Sequence, residues 1–249
     1  MAMSHVSNVC VSCVADWTSG PRGVIPMQID PSAAVIVKPR AGTYRVAAQP
    51  LRVILPSPRR ECGRPSNKTR YPWRSACEFS CRTVPDQLLS DLLWLSYGVH
   101  RDNGQLMAPG WSDARTIELY VAMADSVWRY DPRTHSLSRR LKEDIRALTG
   151  VLDGAESAPV SLIFSGRADR MTDASDRERG PRASADAGFI QWNVRLFCAS
   201  EGLGTVVQAA FDGPKLARVL RLPRSQVVTS VQTVGYPRHS RGERNGSHA

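Results

Sequence analysis

Gly188-Phe189-Ile190-Gln191-Trp192-Asn193-Val194-Arg195-Leu196-Phe197-Cys198-Ala199-Ser200-Glu201-Gly202-Leu203-Gly204 is the stretch on which the fold turns. Ile190, Val194, Phe197 and Cys198 mark the buried face of a long helix, and Gly202 is placed to end it. Thr205-Val206-Val207 then continues as a strand.

Working outward, Pro85 opens a second helix, because Leu88, Leu89, Leu92 and Leu93 recur at helical spacing until Gly98 closes the run. Ile117, Leu119 and Val121 alternate with Glu118 and Tyr120. After Ala124-Asp125-Ser126 a second run, 127–130, stops at Asp131-Pro132, which predicts a hairpin. Residues 141–148 read as a short amphipathic helix, 160–164 as a central strand and 166–184 as a charged, mobile loop. Pro214 opens a short helix through Leu216, Val219 and Leu220, and 227–234 form a last strand. With no regular βαβ repeat, no internal repeat and no glycine-rich dinucleotide loop, the pattern predicts an α+β sandwich of a mainly antiparallel sheet with packed helices.

The 249 residues suffice for one sizeable core, and the expected organisation is a poorly ordered basic leader (1–54), one domain (55–237) and a basic tail (238–249). The net charge of +10 sits at the ends. Residues 1–82 hold 12 Lys/Arg against 4 Asp/Glu and 235–249 hold 3 against 1, leaving the middle neutral. A nucleic-acid groove places its cations on the folded domain, so no nucleic-acid partner is expected. No stretch approaches the roughly 20 apolar residues of a membrane span, and the first 30 residues lack an export signal. Six cysteines spread along so long a chain point to a reducing, cytoplasmic setting rather than a disulfide scaffold. Cys10 and Cys13 form a CxxC pair without a second ligand pair, so no metal site is expected. Cys77 and Cys81, beside Arg74 and Arg82, are either activated thiolates or ordinary cysteines on one turn.

Several separated segments, in order, resemble the nitroreductase superfamily, most closely its SagB-type dehydrogenase branch. They are Leu88-Leu89-Ser90-Asp91-Leu92-Leu93-Trp94 leading to Tyr97-Gly98-Val99-His100-Arg101, the strand 117–121, the stretch 188–204, and Val234-Gly235-Tyr236-Pro237. The resemblance implies an FMN enzyme and an intertwined homodimer. It also implies a small-molecule or peptide-derived substrate, such as an azoline-type ring to be dehydrogenated, with NAD(P)H as a candidate electron donor. No side-chain nucleophile is implied, since the flavin carries the chemistry.

The resemblance also assigns a cofactor site. The basic signature that holds the FMN phosphate falls on Trp73-Arg74-Ser75-Ala76-Cys77-Glu78-Phe79, where Arg74 and Ser75 are retained and Trp73 and Cys77 replace expected cations. A charge-assisted hydrogen bond contributes on the order of 1.5–3 kcal/mol, so both replacements weaken the phosphate grip. Arg70, Arg82, Arg238 and Arg241 are candidate substitutes. The pattern that meets the flavin's polar edge falls on residues 108–115, where Asp113 and Arg115 stand for Asn and Gln; an ionised Asp cannot donate and Arg cannot accept. Val207, Gln208, Ala209 and Ala210 occupy the segment whose backbone N–H groups approach the flavin N5 edge. Trp192 stands where relatives have Gln and reads as core or dimer packing. The rival reading is a non-catalytic relative whose flavin site has decayed through Trp73, Cys77, Gly110 and Arg115, leaving an interaction protein.

Overall fold

The alternating run at 117–121 forms the middle of the sheet. The computed structural model describes residues 28–29, 51–59, 78–100, 104–110, 115–150, 157–208 and 210–238. Strand β3 (Ile117–Ala122) turns Ile117, Leu119 and Val121 into one apolar cluster and Tyr120 and Ala122 into another, and all five are buried. The sheet therefore carries a core on each face.

In chain order the other strands are β1 (Gln28–Ile29), β2 (Arg52–Ile54), β4 (Val127–Asp131), β5 (Ser136–Leu141), β6 (Val160–Arg167), β7 (Gly204–Val207) and β8 (Gln226–Gly235). They lie in the order β1-β2-β5-β4-β3-β6-β8-β7, and every pairing is antiparallel, as the α+β reading requires. Helices α1 (Asp86–Tyr97) and α2 (Asp176–Glu201) pack on one face, where Leu92, Leu93, Ile190 and Val194 meet Leu119, Leu162 and Phe164. The short α3 (Gly213–Val219) covers the other face through Leu216, which joins Tyr120, Ile163 and Val231. No helix among the described residues is long and apolar enough to cross a membrane.

The structure departs from the sequence reading in four places. The sheet reaches back into the stretch read as leader: β2 pairs with β5, and Val53 is buried. Residues 136–141 form β5 instead of leading into a helix at 141–148, which shrinks to a 3-10 turn at Arg146–Leu148. The pairing of Trp128 with Arg139 and Tyr130 with Leu137 outweighs a weak helical period there. Half of the expected loop at 166–184 is helical, because α2 starts at Asp176. There the Glu178 carboxylate accepts hydrogen bonds from the Ser175 backbone N–H (2.9 Å) and hydroxyl (2.7 Å), and Arg179 pairs with Asp176 (2.6 Å). Finally, Trp192 is 48% exposed and Phe189 49%, so neither fills this chain's own core.

Candidate functional site

Two of the segments expected to share a cofactor meet at the end of the sheet. Phe79 bridges to Pro237, Ser80 N–H donates to Tyr236 O (2.9 Å) and Arg238 N–H donates to Glu78 O (3.0 Å), so residues 78–80 lie along the chain that leaves β8. The Phe79 ring is buried with Ala158, and Val206 of β7 packs against the pair. Gly235 makes that seat possible: a Cβ there would stand 2.6 Å from Pro159 Cδ and 3.1 Å from Phe79 Cδ1.

Arg74, Ser75 and Cys77 lie outside the described residues, but their distance from the seat is bounded. Ser75 is four residues before Phe79, and four extended residues span at most about 14 Å. Two cations stand beside the same seat. The Arg82 guanidinium stacks 4.1 Å from the centre of the Tyr236 ring, and Arg238 is exposed one residue beyond the bridge. Both were named from sequence as substitutes for the missing signature cations.

The backbone donors of β7 are now specific. Gln208 N–H is spent on Val231 O (2.9 Å). In an antiparallel ladder this bond makes Val207 and Gln232 a non-bonded pair, so the Val207 N–H and C=O point away from β8. β7 is the last strand of the sheet, and that side is its open edge. Ala209 lies outside the described residues, and Ala210 is exposed. The Gln208 side chain turns inward, its Nε2 donating to Thr233 Oγ1 (2.8 Å) while its Oε1 is buried without a partner. By the same alternation Thr205, level with Val234, also turns its N–H and C=O away from β8, so among the described residues the open edge of β7 carries two outward N–H groups, while the orphaned Gln208 oxygen is buried behind it. Outward backbone donors of this kind are the groups that would meet the acceptor edge of a flat ring.

Arg115 is elsewhere. Val207 is level with Gln232, Leu162 and Val121, three strands away from β3, whereas Ile117 is four residues further along that strand. With strands about 4.8 Å apart and a rise of about 3.3 Å per residue, the two positions are on the order of 20 Å apart. Asp113 lies outside the described residues. The structure does not bring Arg115 and Val207 to one ring within a single chain.

The chain entering β3 at Arg115 is firmly held. Tyr97 Oη donates to Ile117 O (2.6 Å), Arg167 N–H donates to Thr116 O (2.7 Å), Arg170 Nη1 donates to Arg115 O (3.1 Å), and the Thr116 hydroxyl donates to the buried Asp186 carboxylate. The Arg115 side chain opens into a cleft of about 500 Å³ at the β4–β5 turn. Its other cations, Arg129, Arg133 and Arg170, were missed in the sequence because they come from a strand, a turn and a 3-10 segment with no common spacing.

Other expected candidates separate cleanly. Cys198 is buried in the core, which pushes its thiol pKa up and makes it inert, whereas Cys81 is a free thiol at the surface. Cys10, Cys13 and Cys77 lie outside the described residues. Among the described residues no cluster of His, Cys, Asp or Glu could hold a metal ion. His135 is structural: its ring nitrogens contact Tyr130 Oη (2.8 Å) and Ser90 Oγ (2.7 Å). Asn193, retained from the family pattern, donates to Ser96 O (3.3 Å) and joins α2 to α1.

The sequence pattern of the nitroreductase family matches residues 71–236. A crystal structure of a protein named as a candidate nitroreductase from Ralstonia eutropha superposes with a TM-score of 0.72 at 31% identity, over 87% of this chain and 100% of that one. A similarly named protein of Methanocaldococcus jannaschii is 29% identical over 160 residues, 60% of this chain and 80% of the relative. A more distant structure from Anabaena variabilis, at 19% identity and a TM-score of 0.60 over 70% of this chain and 38% of that one, shares the fold. The alternating sheet, the helix closing at Gly202 and the paired segments around Phe79 are those of a two-faced antiparallel α+β sandwich. The chain belongs to the nitroreductase family.

Proposed function

We propose that the protein is an FMN-dependent oxidoreductase that works as a homodimer, with each flavin lying across the seam between two copies. One copy supplies Arg74, Ser75 and the 76–78 backbone to the phosphate, with Arg82 and Arg238 standing in for the cations lost at Trp73 and Cys77. The same copy presents the outward Val207 N–H and the 209–210 backbone to the ring. Arg115 reaches that ring only from the second copy, because within one chain the start of β3 is on the order of 20 Å from Val207 by sheet spacing, and the resemblance assigns Asp113 to the same ring edge. Bound there, the flavin supplies hydride and electron transfer, and the protein supplies placement, charge and exclusion of water. The SagB-type resemblance directs the reading toward dehydrogenation of a small organic or peptide-derived substrate such as an azoline ring. NAD(P)H is the candidate partner when the flavin runs in the reducing direction.

The observation that supports the reading is the packing of Phe79, the last residue of the signature stretch, against Val206 of β7. Absorbance of the purified protein tests it. A flavin spectrum at one equivalent per chain is the expected result, and Trp73→Arg with Cys77→Arg should tighten FMN binding. Colourless protein that added FMN does not reconstitute, and that the double substitution does not rescue, replaces this reading with the non-catalytic one, in which the fold serves as an interaction scaffold.

A further inference from the structure

The cleft beside Arg115 has a charge balance that the fold itself does not explain. Arg115, Arg129, Arg133 and Arg170 line it against two carboxylates, Glu118 and Asp131. Both carboxylates are already engaged. Glu118 is bound by Arg167 (2.5 Å) and the Tyr120 hydroxyl (2.9 Å), and Arg129 reaches it only at 3.9 Å. Asp131 accepts from the Arg133 backbone N–H (3.0 Å) and the Thr134 hydroxyl (2.8 Å), so it serves the turn. Among the described residues no carboxylate forms an ion pair with Arg115, Arg133 or Arg170.

Such a cluster works against itself. Partial burial and the like charges of Arg133 and Arg170 hold the Arg115 guanidinium below its ordinary range. The backbone beneath it is nevertheless fixed by the four hydrogen bonds of Tyr97, Thr116, Arg167 and Arg170, so the side chain starts from a held position at the mouth of the cleft. Mutually repelling cations gathered around a half-open cleft are the arrangement that a ligand of opposite charge relieves. The volume, about 500 Å³, falls among small-molecule pockets of roughly 300–1,000 Å³. Forked guanidiniums match the planar oxygens of a carboxylate or the tetrahedral oxygens of a phosphate. Tyr97 and Tyr130 line the same cleft and give the ligand body an aromatic wall.

We propose that this cleft binds the carboxylate or phosphate head of a small organic anion through Arg115, Arg133 and Arg170, with the body of the molecule against Tyr97 and Tyr130. All of these residues come from one chain, so binding needs neither a flavin nor a second copy.

Calorimetric titration of the full-length protein at low salt, with benzoate and with inorganic phosphate as the two probes, tests the site. The variants are Arg133→Gln and Arg170→Gln, with Arg218→Gln on α3 as the control for lost charge. Arg133 and Arg218 are exposed and Arg133 contacts its turn only through backbone, so folding is preserved. At least one probe should saturate. Each cleft substitution should weaken it about tenfold or more, the loss of one charge-assisted hydrogen bond, while Arg218→Gln leaves it unchanged; the tighter probe identifies the head group. Absence of saturation with either probe, cleft variants that bind like wild type, or an equal loss in Arg218→Gln would each overturn the proposal. Flavin absorbance recorded on the same samples keeps the two readings apart: anion binding in flavin-free protein supports the cleft and counts only against the flavin.

Discussion

His135 holds the β4–β5 turn to α1, and the proton positions follow from its neighbours. Ser90 Oγ donates to Pro56 O (2.5 Å), so its proton is committed and the His135 Nε2–H must donate to it. Nδ1 is then the acceptor for the Tyr130 hydroxyl (2.8 Å). His135 pays a backbone cost to be there, at φ 47°, a region that Asn tolerates better than Ala. Replacing it strands the buried Ser90 and Tyr130 hydroxyls, at about 1–3 kcal/mol. In urea unfolding, His135→Ala should lose this amount, and His135→Asn should lose less because the backbone strain is relieved. Equal losses would place the whole effect in the side-chain bonds. Glu118 gives a pH signature. Burial raises its carboxyl pKa, but hydrogen bonds from Tyr120 and Arg167 and the charges of Arg167 and Arg129 outweigh burial and hold it below the usual 4.5. A carboxylate depressed in the folded state stabilises the fold above its unfolded value, and that contribution is lost as pH falls through the folded value. Unfolding free energy should therefore fall more steeply between about pH 5 and pH 3 in wild type than in Glu118→Gln. Parallel curves from urea titrations at each pH would refute the assignment.

Helix α2 shows what was legible at the scale of an element and what was not. Its apolar face and its end were plain, since Ile190, Val194, Phe197 and Cys198 are all buried and Gly202 takes the left-handed cap at φ 72°. Its start was hidden although its signature is printed in the chain: Ser175 followed three residues later by Glu178. The charged composition and Gly180-Pro181 read as loop, and the ion pairs that hold this end, Arg182 with Asp173 (2.9 Å) and Arg179 with Asp176, form only once the helix exists. Ser175→Ala should cost about 1 kcal/mol in chemical denaturation, the usual loss at an N-cap. An unchanged midpoint would mean that the ion pairs alone set the start. Strand β5 was missed for a different reason. Ser136-Leu137-Ser138-Arg139-Arg140-Leu141 has little apolar content, and Leu137 finds its burial only against β4 and β2. Tertiary pairing decided that element, and no local pattern announces it.

For the whole molecule, the packing of Phe79 beside β7 joins segments that the sequence carries as contiguous motifs, whereas the cations of the Arg115 cleft share no spacing and converge only after folding. The two half-sites also make a demand on assembly. The resemblance assigns Arg115 and Val207, on two separate segments, to one flavin, yet they stand on the order of 20 Å apart by sheet spacing, so a ring that touches both sits between copies. We propose as the seam the face of α2 where Phe189 (49% exposed) and Trp192 (48%) sit three residues apart, with the Arg195 guanidinium 5.9 Å from the Trp192 ring. If that face is the seam, placing carboxylates there buries unpaired charge at about 3–5 kcal/mol each, enough to separate the copies at micromolar concentration. Because both side chains are half exposed in the single chain, Phe189→Glu with Trp192→Glu should keep its circular dichroism and its unfolding midpoint. Sedimentation velocity should then change from a dimer boundary to a monomer boundary, and the flavin absorbance should be lost with it, since each half-site has parted from the other. A double variant that still sediments as a dimer puts the seam on another face, and wild-type protein that holds flavin as a monomer removes the need for a second copy altogether.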